Sequence, residues 1–188
     1  MTSRFFLVAP KDLSAELIIA CAKAAVAAGD CASIIVHESI RQDEVAALQA
    51  LGLAVLMTDV EPRIVSHRRA DGLHVSNAEF NLLDLRMSLP KDAMVGLDCG
   101  TSRHAAMQAS EQGADYVAFR QKAQTVGEPL IKWWNELAEI PAVPFDPVSA
   151  ADAVILAQNS DFIRPLDDMW QSAEMATKVI SELAAKLK

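Results

Sequence analysis

Eight short apolar segments recur along the chain, at 5–9, 33–37, 54–59, 72–75, 94–98, 116–120, 142–146 and 162–164, and their starts lie 18 to 28 residues apart. They are nearly continuous in apolar residues instead of alternating, which suits strands with helices on one side and a packed interior on the other. Each is followed by a stretch able to form a helix, at 12–28, 40–51, 61–69, 78–87, 102–112, 129–137, 147–158 and 167–187. Eight strand-then-helix units predict an α/β fold in which a parallel sheet closes on itself, a (β/α)8 barrel whose C-terminal strand ends converge on one rim. An open doubly wound sheet shares this pattern. The first turn, Ala9-Pro10-Lys11-Asp12, carries no glycine fingerprint, which favours closure and gives no indication of a nucleotide cofactor.

At 188 residues the chain is expected to make a single domain, 1–188, burying roughly 70% of its extended-chain surface. That is short for a closed eight-fold barrel, so a small barrel with short loops is predicted. Asp12 is expected near the start of the first helix and Gly29 at its stop. The last helix is predicted as one piece, with 166–170 holding its start against the rim. Pro144 is out of place inside a strand, because it removes a ladder hydrogen bond, and predicts a frayed or bulged end to the seventh strand.

Charge and cysteine content narrow the partners. The formal charge is -8, from 17 Lys and Arg against 25 Asp and Glu, and the one basic pair of note is Arg68-Arg69. Nucleic acid and anionic membranes need concentrated positive charge, so neither is expected as a partner, whereas a small-molecule ligand is. No secretory pattern and no 18-residue apolar run are visible, which predicts a cytoplasmic protein. Cys21, Cys31 and Cys99 are odd in number and lack metal-site spacing. Cys21 reads as core; Cys99, just past the fifth strand, is the one candidate for exposure at a site, but a buried small apolar role suits it better.

Three phrases, Ala70-Asp71-Gly72-Leu73-His74-Val75, Val95-Gly96-Leu97-Asp98-Cys99 and Gly113-Ala114-Asp115-Tyr116-Val117-Ala118-Phe119, fall in order at strands four, five and six. Together with Ile140-Pro141-Ala142-Val143 they resemble the thiamine phosphate synthase/TenI family, whose members fold as compact TIM barrels. The synthases of that family join a pyrimidine methanol diphosphate to a thiazole phosphate, and diphosphate departs with the help of Mg2+ and basic side chains. The resemblance implies Mg2+ as a cofactor, with Asp59 matching one family ligand and Glu79 the other; capping and solvent-exposed ends are the plainer reading of both residues. His74 matches the family histidine of strand four and also suits a hydrogen-bonded core position.

The departures from the family pattern concern phosphate. The basic second-strand motif falls on 35–39, leaving His37 as its one candidate. The fifth-strand serine is Asp98, and the TenI histidine is Gly100. After strand six the family's Thr-x-Thr-Lys falls on Thr125-Val126-Gly127-Glu128, so an acid replaces the lysine. The Gly-Gly that opens backbone N–H groups to phosphate is Asp146-Pro147, and proline has no N–H to offer.

The candidate ligand-binding residues are therefore His37, Asp98, Arg120, Lys122, Thr125, Asp146 and Arg164, with Asp59 and Glu79 as the candidate metal pair. Arg120, Lys122 and Arg164 are rim cations that either meet an anionic ligand or pair with Asp98, Asp146 or Glu128. Three functions stay open. One is binding or transfer chemistry on a phosphorylated thiazole or pyrimidine compound. Another is a non-catalytic barrel serving as ligand sensor or assembly subunit. The third is an isomerase or lyase for a ligand without phosphate. Trp133 and Trp134 point to different sides of a helix, and the outer one is a candidate contact in a homo-oligomer.

Overall fold

Every segment expected to be a strand is one in the computed structural model, which describes residues 3–76, 81–120, 129–146 and 150–187. The strands are β1 (Arg4–Val8), β2 (Cys31–Val36), β3 (Ala54–Thr58), β4 (Gly72–Val75), β5 (Met94–Asp98), β6 (Tyr116–Phe119), β7 (Ala142–Pro144) and β8 (Phe162–Ile163). The helices between and after them are α1 (Ala15–Ala28), α2 (Gln42–Gln49), α3 (Pro62–Arg68), α4 (Leu82–Ser88), α5 (Arg103–Glu111), α6 (Leu130–Leu137), α7 (Ala150–Ala157) and α8 (Ala173–Lys186). Helices α2 to α7 run only two turns or so, which is how eight units fit in so short a chain.

All ladders are parallel, in the order β7-β6-β5-β4-β3-β2-β1-β8. The barrel is nearly closed, with a seam between β7 and β8 where no ladder forms among the described residues. Pro144 accounts for the seam. Phe145 N–H donates to Phe119 of β6 at 2.9 Å, so the preceding residue turns its nitrogen toward β8, and proline has none to donate. Side chains bridge the gap instead. The Ser160 hydroxyl reaches the Ala142 carbonyl at 2.7 Å, and Arg164 donates to the Phe145 carbonyl at 2.9 Å.

The strands sort their side chains by the two-residue period. Phe6, Ile35, Leu56, Tyr116, Ala118, Val143 and Phe145 fill the barrel interior. Their neighbours Leu7, Ile34, Val55 and Val117 face outward and pack with Ile18, Val45, Trp134 and Ile180 of the helix layer. Burial of each large apolar side chain contributes about 1.5–3 kcal/mol.

Two local expectations are corrected. Ser14, not Asp12, caps α1, accepting from Leu17 N–H at 3.3 Å. Gly29 follows that helix in extended backbone, and its need for glycine is steric: an added Cβ would lie 2.7 Å from Ile180 and 2.8 Å from Phe5. The last helix is also not one piece. A 3-10 turn over Asp167–Gln171 buries Met169 and Trp170, and extended Ser172 breaks the chain before capping α8 through Met175 N–H.

The repeated Ala-Asp phrases have a structural reason. Asp71 accepts from Val55 N–H at 2.7 Å, and Asp115 accepts from Val95 N–H at 2.6 Å, so each carboxylate ties the start of its strand to the start of the preceding one. These phrases therefore carry the fold. Among the described residues, no helix is long and apolar enough to cross a membrane.

Candidate functional site

Four of the residues singled out in the sequence meet where β5 to β8 end. Asp98, the last residue of β5, has a side chain only 3% exposed, and Arg120 covers it with an Nε–Oδ2 contact of 2.7 Å. Its other oxygen accepts from Gly100 N–H at 2.9 Å. Burial opposes charge on Arg120, but the Asp98 hydrogen bond and the charges of Asp98 and Asp146 outweigh it and raise its pKa.

Asp146 lies between two guanidinium groups without closing tightly on either. Its oxygens are 3.5 Å from Arg120 Nη1 and 3.8 Å from Arg164 Nη1. Arg164 is largely buried and spends its short contacts elsewhere, on the Phe145 carbonyl and on Asp167 at 2.7 Å. Both guanidinium groups also lie near the face of Phe145, at 5.8 Å for Arg120 and 5.2 Å for Arg164.

The other side of the rim is organised by Asp59. It adopts a left-handed conformation, φ 52°, which aspartate tolerates better than most side chains. This turns its carboxylate onto Ser76, with Oδ1 accepting from the Ser76 N–H at 2.9 Å and Oδ2 from the hydroxyl at 2.7 Å. Partial burial works to raise the Asp59 pKa, yet these bonds prevail and lower it. His37, half-buried just past β2, has its pKa lowered by burial and by Lys11, against the opposing pull of Asp59. Glu79, Lys122 and Thr125 lie outside the described residues, as do Glu128 and Pro147.

Beneath the rim, His74 is buried and neutral. Its Nδ1 meets the Tyr116 hydroxyl at 2.7 Å, its ring stacks on Phe145 at 5.1 Å, and its Nε2 has no partner among the described residues. Burial lowers its pKa to about 4. The tyrosine was missed in the sequence, although a signal exists. Gly96 is the register partner of Tyr116, and the missing side chain on β5 makes room for the ring on β6.

Cys99 takes the buried small apolar role that its type suited better than exposure, and burial with the neighbouring Asp98 charge raises its thiol pKa to about 12. A thiol so placed is inert as a nucleophile. Cys21 is core, and His67 and His104 are exposed on α3 and α5. Trp134 is fully buried and donates to the Ile140 carbonyl at 2.8 Å, whereas Trp133 is half-buried with Arg103 over its ring at 4.6 Å.

Comparison with known proteins decides the family. A family model described as thiamine monophosphate synthase matches residues 5–151. The chain belongs to the thiamine monophosphate synthase family. Among its relatives, a thiamine-phosphate synthase of Rhodospirillum centenum is 29% identical over 185 residues, covering 89% of both chains. One of Methylococcus capsulatus is 22% identical over 190 residues, covering 91% of this chain and 84% of its own.

Solved structures agree on the fold alone. A (S)-3-O-geranylgeranylglyceryl phosphate synthase from Thermoplasma acidophilum superposes with a TM-score of 0.69 at 16% identity, covering 100% of this chain and 93% of its own. A tryptophan synthase from M. tuberculosis gives 0.74 at 14% identity, covering 99% and 93%. The family match runs through β1 to β7 and stops before β8, so Arg164 joins the rim from outside the matched span.

Proposed function

We propose that the rim binds a phosphorylated thiazole or pyrimidine compound, and that Arg120 and Arg164 take over the anion-holding role of the family's missing lysine and glycines. The observation that carries this reading is Asp146, held at 3.5 and 3.8 Å between two guanidinium groups. A negatively charged group already rests there, but at distances too long for good hydrogen bonds. A phosphate brings several strong acceptor oxygens and can form shorter, charge-assisted bonds with both arginines while Asp146 turns to solvent. Asp146 is partly exposed, so that displacement needs little rearrangement.

The remaining groups suit a heterocycle below the phosphate. His74 presents a neutral ring stacked on Phe145, and its Nε2, unpaired among the described residues, can exchange a hydrogen bond with a ring nitrogen or amine. In this reading Asp59 and Glu79 would hold Mg2+, which needs hard oxygen ligands, keeps several waters and, when bound, neutralises the charge of a departing diphosphate. The Asp59 carboxylate retains lone pairs beyond the two that Ser76 engages.

A second reading, a barrel that binds such a compound without turning it over, is favoured by the Asp98–Arg120 contact. It spends the best-placed cation on a buried carboxylate instead of on developing charge. A thermal-shift screen with thiazole phosphate, pyrimidine diphosphate, thiamine phosphate and pyrophosphate, each with and without Mg2+, tests both readings. Stabilisation by a phosphorylated compound, lost in Arg164→Ala, supports the site. Dependence of that stabilisation on Mg2+ and on Asp59 supports the metal. No shift with any compound at concentrations well above 1 mM overturns the proposal.

A further inference from the structure

The opposite, N-terminal end of the barrel holds a cavity of about 200 Å³. Its walls are mostly apolar and include the rings of Phe6, Tyr116 and Phe162 with Leu56, Ala54 and Ser33. Register explains why space is left. Ser33 pairs across the ladder with Phe6 on one side and Ala54 on the other, so two small side chains stand side by side where such barrels usually pack branched residues. Ser33 is 94% buried, yet its hydroxyl has no hydrogen-bond partner among the described residues. An orphaned buried hydroxyl costs about 1–3 kcal/mol, so this one is poised to gain from any occupant that can bond to it.

We propose that this cavity is a second ligand site, for a neutral one-ring aromatic or heteroaromatic molecule carrying one group that hydrogen-bonds to Ser33 Oγ. The size fits, since an apolar protein cavity of about 150 Å³ accepts benzene. Charge is excluded by the rim of the cavity, where both ionised groups are already neutralised. Arg4 holds Asp30 at 3.0 Å, and Asp115 is engaged by Arg86 and by Val95 N–H. The half-buried Ala32, Ala54 and Phe162 leave a way in from solvent.

Phenol and toluene, equal in shape and different by one hydroxyl, test the site by NMR titration of the full chain. Saturable amide shifts centred on Ala32, Ser33 and Ala54 are expected with both. In Ser33→Ala, phenol should bind about fivefold more weakly, with toluene unchanged. Ala54→Leu, which fills the cavity, should abolish both responses; Leu56→Phe serves the same purpose if that variant does not fold. Absence of saturable shifts, shifts that survive a folded filled variant, or equal weakening of both probes by Ser33→Ala overturns the proposal. The outcome is independent of phosphate binding at the other end of the barrel.

Discussion

Replacing Gly96 by alanine places a methyl group where the Tyr116 ring lies. The added Cβ would be 1.9 Å from Tyr116 Cζ, 2.0 Å from Cε1 and 2.5 Å from Cε2, so the ring must retreat about 1.5 Å to regain ordinary contact. It has nowhere to go at low cost. Tyr116 is buried, packs 5.2 Å from Phe6 and holds His74 through its hydroxyl. Overpacking of this kind costs about 1–3 kcal/mol, and a strained or broken hydroxyl–imidazole bond adds about 1 kcal/mol. A loss of about 3 kcal/mol lowers the melting temperature of a barrel this size by about 6–12 °C, readable by circular dichroism. The double variant Gly96→Ala/Tyr116→Leu removes the ring the methyl meets and should be no less stable than Tyr116→Leu alone. A melting temperature within about 2 °C of the native protein for Gly96→Ala, or strictly additive losses in the double variant, refutes the packing described for the barrel interior.

Acid should weaken the fold through His74. Its folded pKa, about 4, lies below the ordinary 6.5, so the unfolded chain takes the proton first. The stabilisation is complete above pH 6.5 and falls away as pH drops toward 4, by about 1.5 kcal/mol between pH 6.5 and 5. His37 is shifted in the same sense. Urea titrations of the native protein and His74→Phe should differ in slope over that window, and equal slopes contradict the assignment. Arg164→Ala should cost about 2 kcal/mol in the same assay, mainly from the lost charged donor to the Phe145 carbonyl across the seam. Lysine should recover less than half, because it cannot serve that carbonyl and Asp167 together; a loss below about 0.5 kcal/mol is incompatible with a bridging role. Iodoacetamide at pH 8 should leave Cys99 unmodified in the native protein and label it fully in urea, as read by mass spectrometry, whereas native labelling contradicts the burial and the pKa near 12.

The strands were legible because each is a local run of apolar residues, and their polar ends marked the rim without knowledge of the register. Pro144 announced the weak place in the sheet, since a missing N–H is a property of the residue itself. What stayed hidden depends on positions far apart in the chain. The Asp98–Arg120 pairing follows from side-chain reach across neighbouring strand ends, and sequence offered several partners for Arg120, whereas Asp146 was already a partner weighed for Arg164. The His74–Tyr116 bond needs the β4, β5 and β6 registers at once, with Gly96 as the gap between the rings. The buried role preferred for Cys99 was legible from its type, but not its cause: the next residues fold back over it, with Ser102 N–H bonded to the Cys99 carbonyl at 2.9 Å. The break before α8 was masked by an apolar pattern that continues through Met169 and Trp170.

The claim that the two rim arginines form an anion site with Asp146 as its internal occupant is tested most directly by calorimetric titration of thiazole phosphate into the native protein and Asp146→Asn. Removing the competing charge relieves a partly screened repulsion of about 1 kcal/mol, so binding to the variant should tighten about fivefold and should disappear in Arg164→Ala. Weaker binding to Asp146→Asn than to the native protein, or no binding to either, contradicts the account.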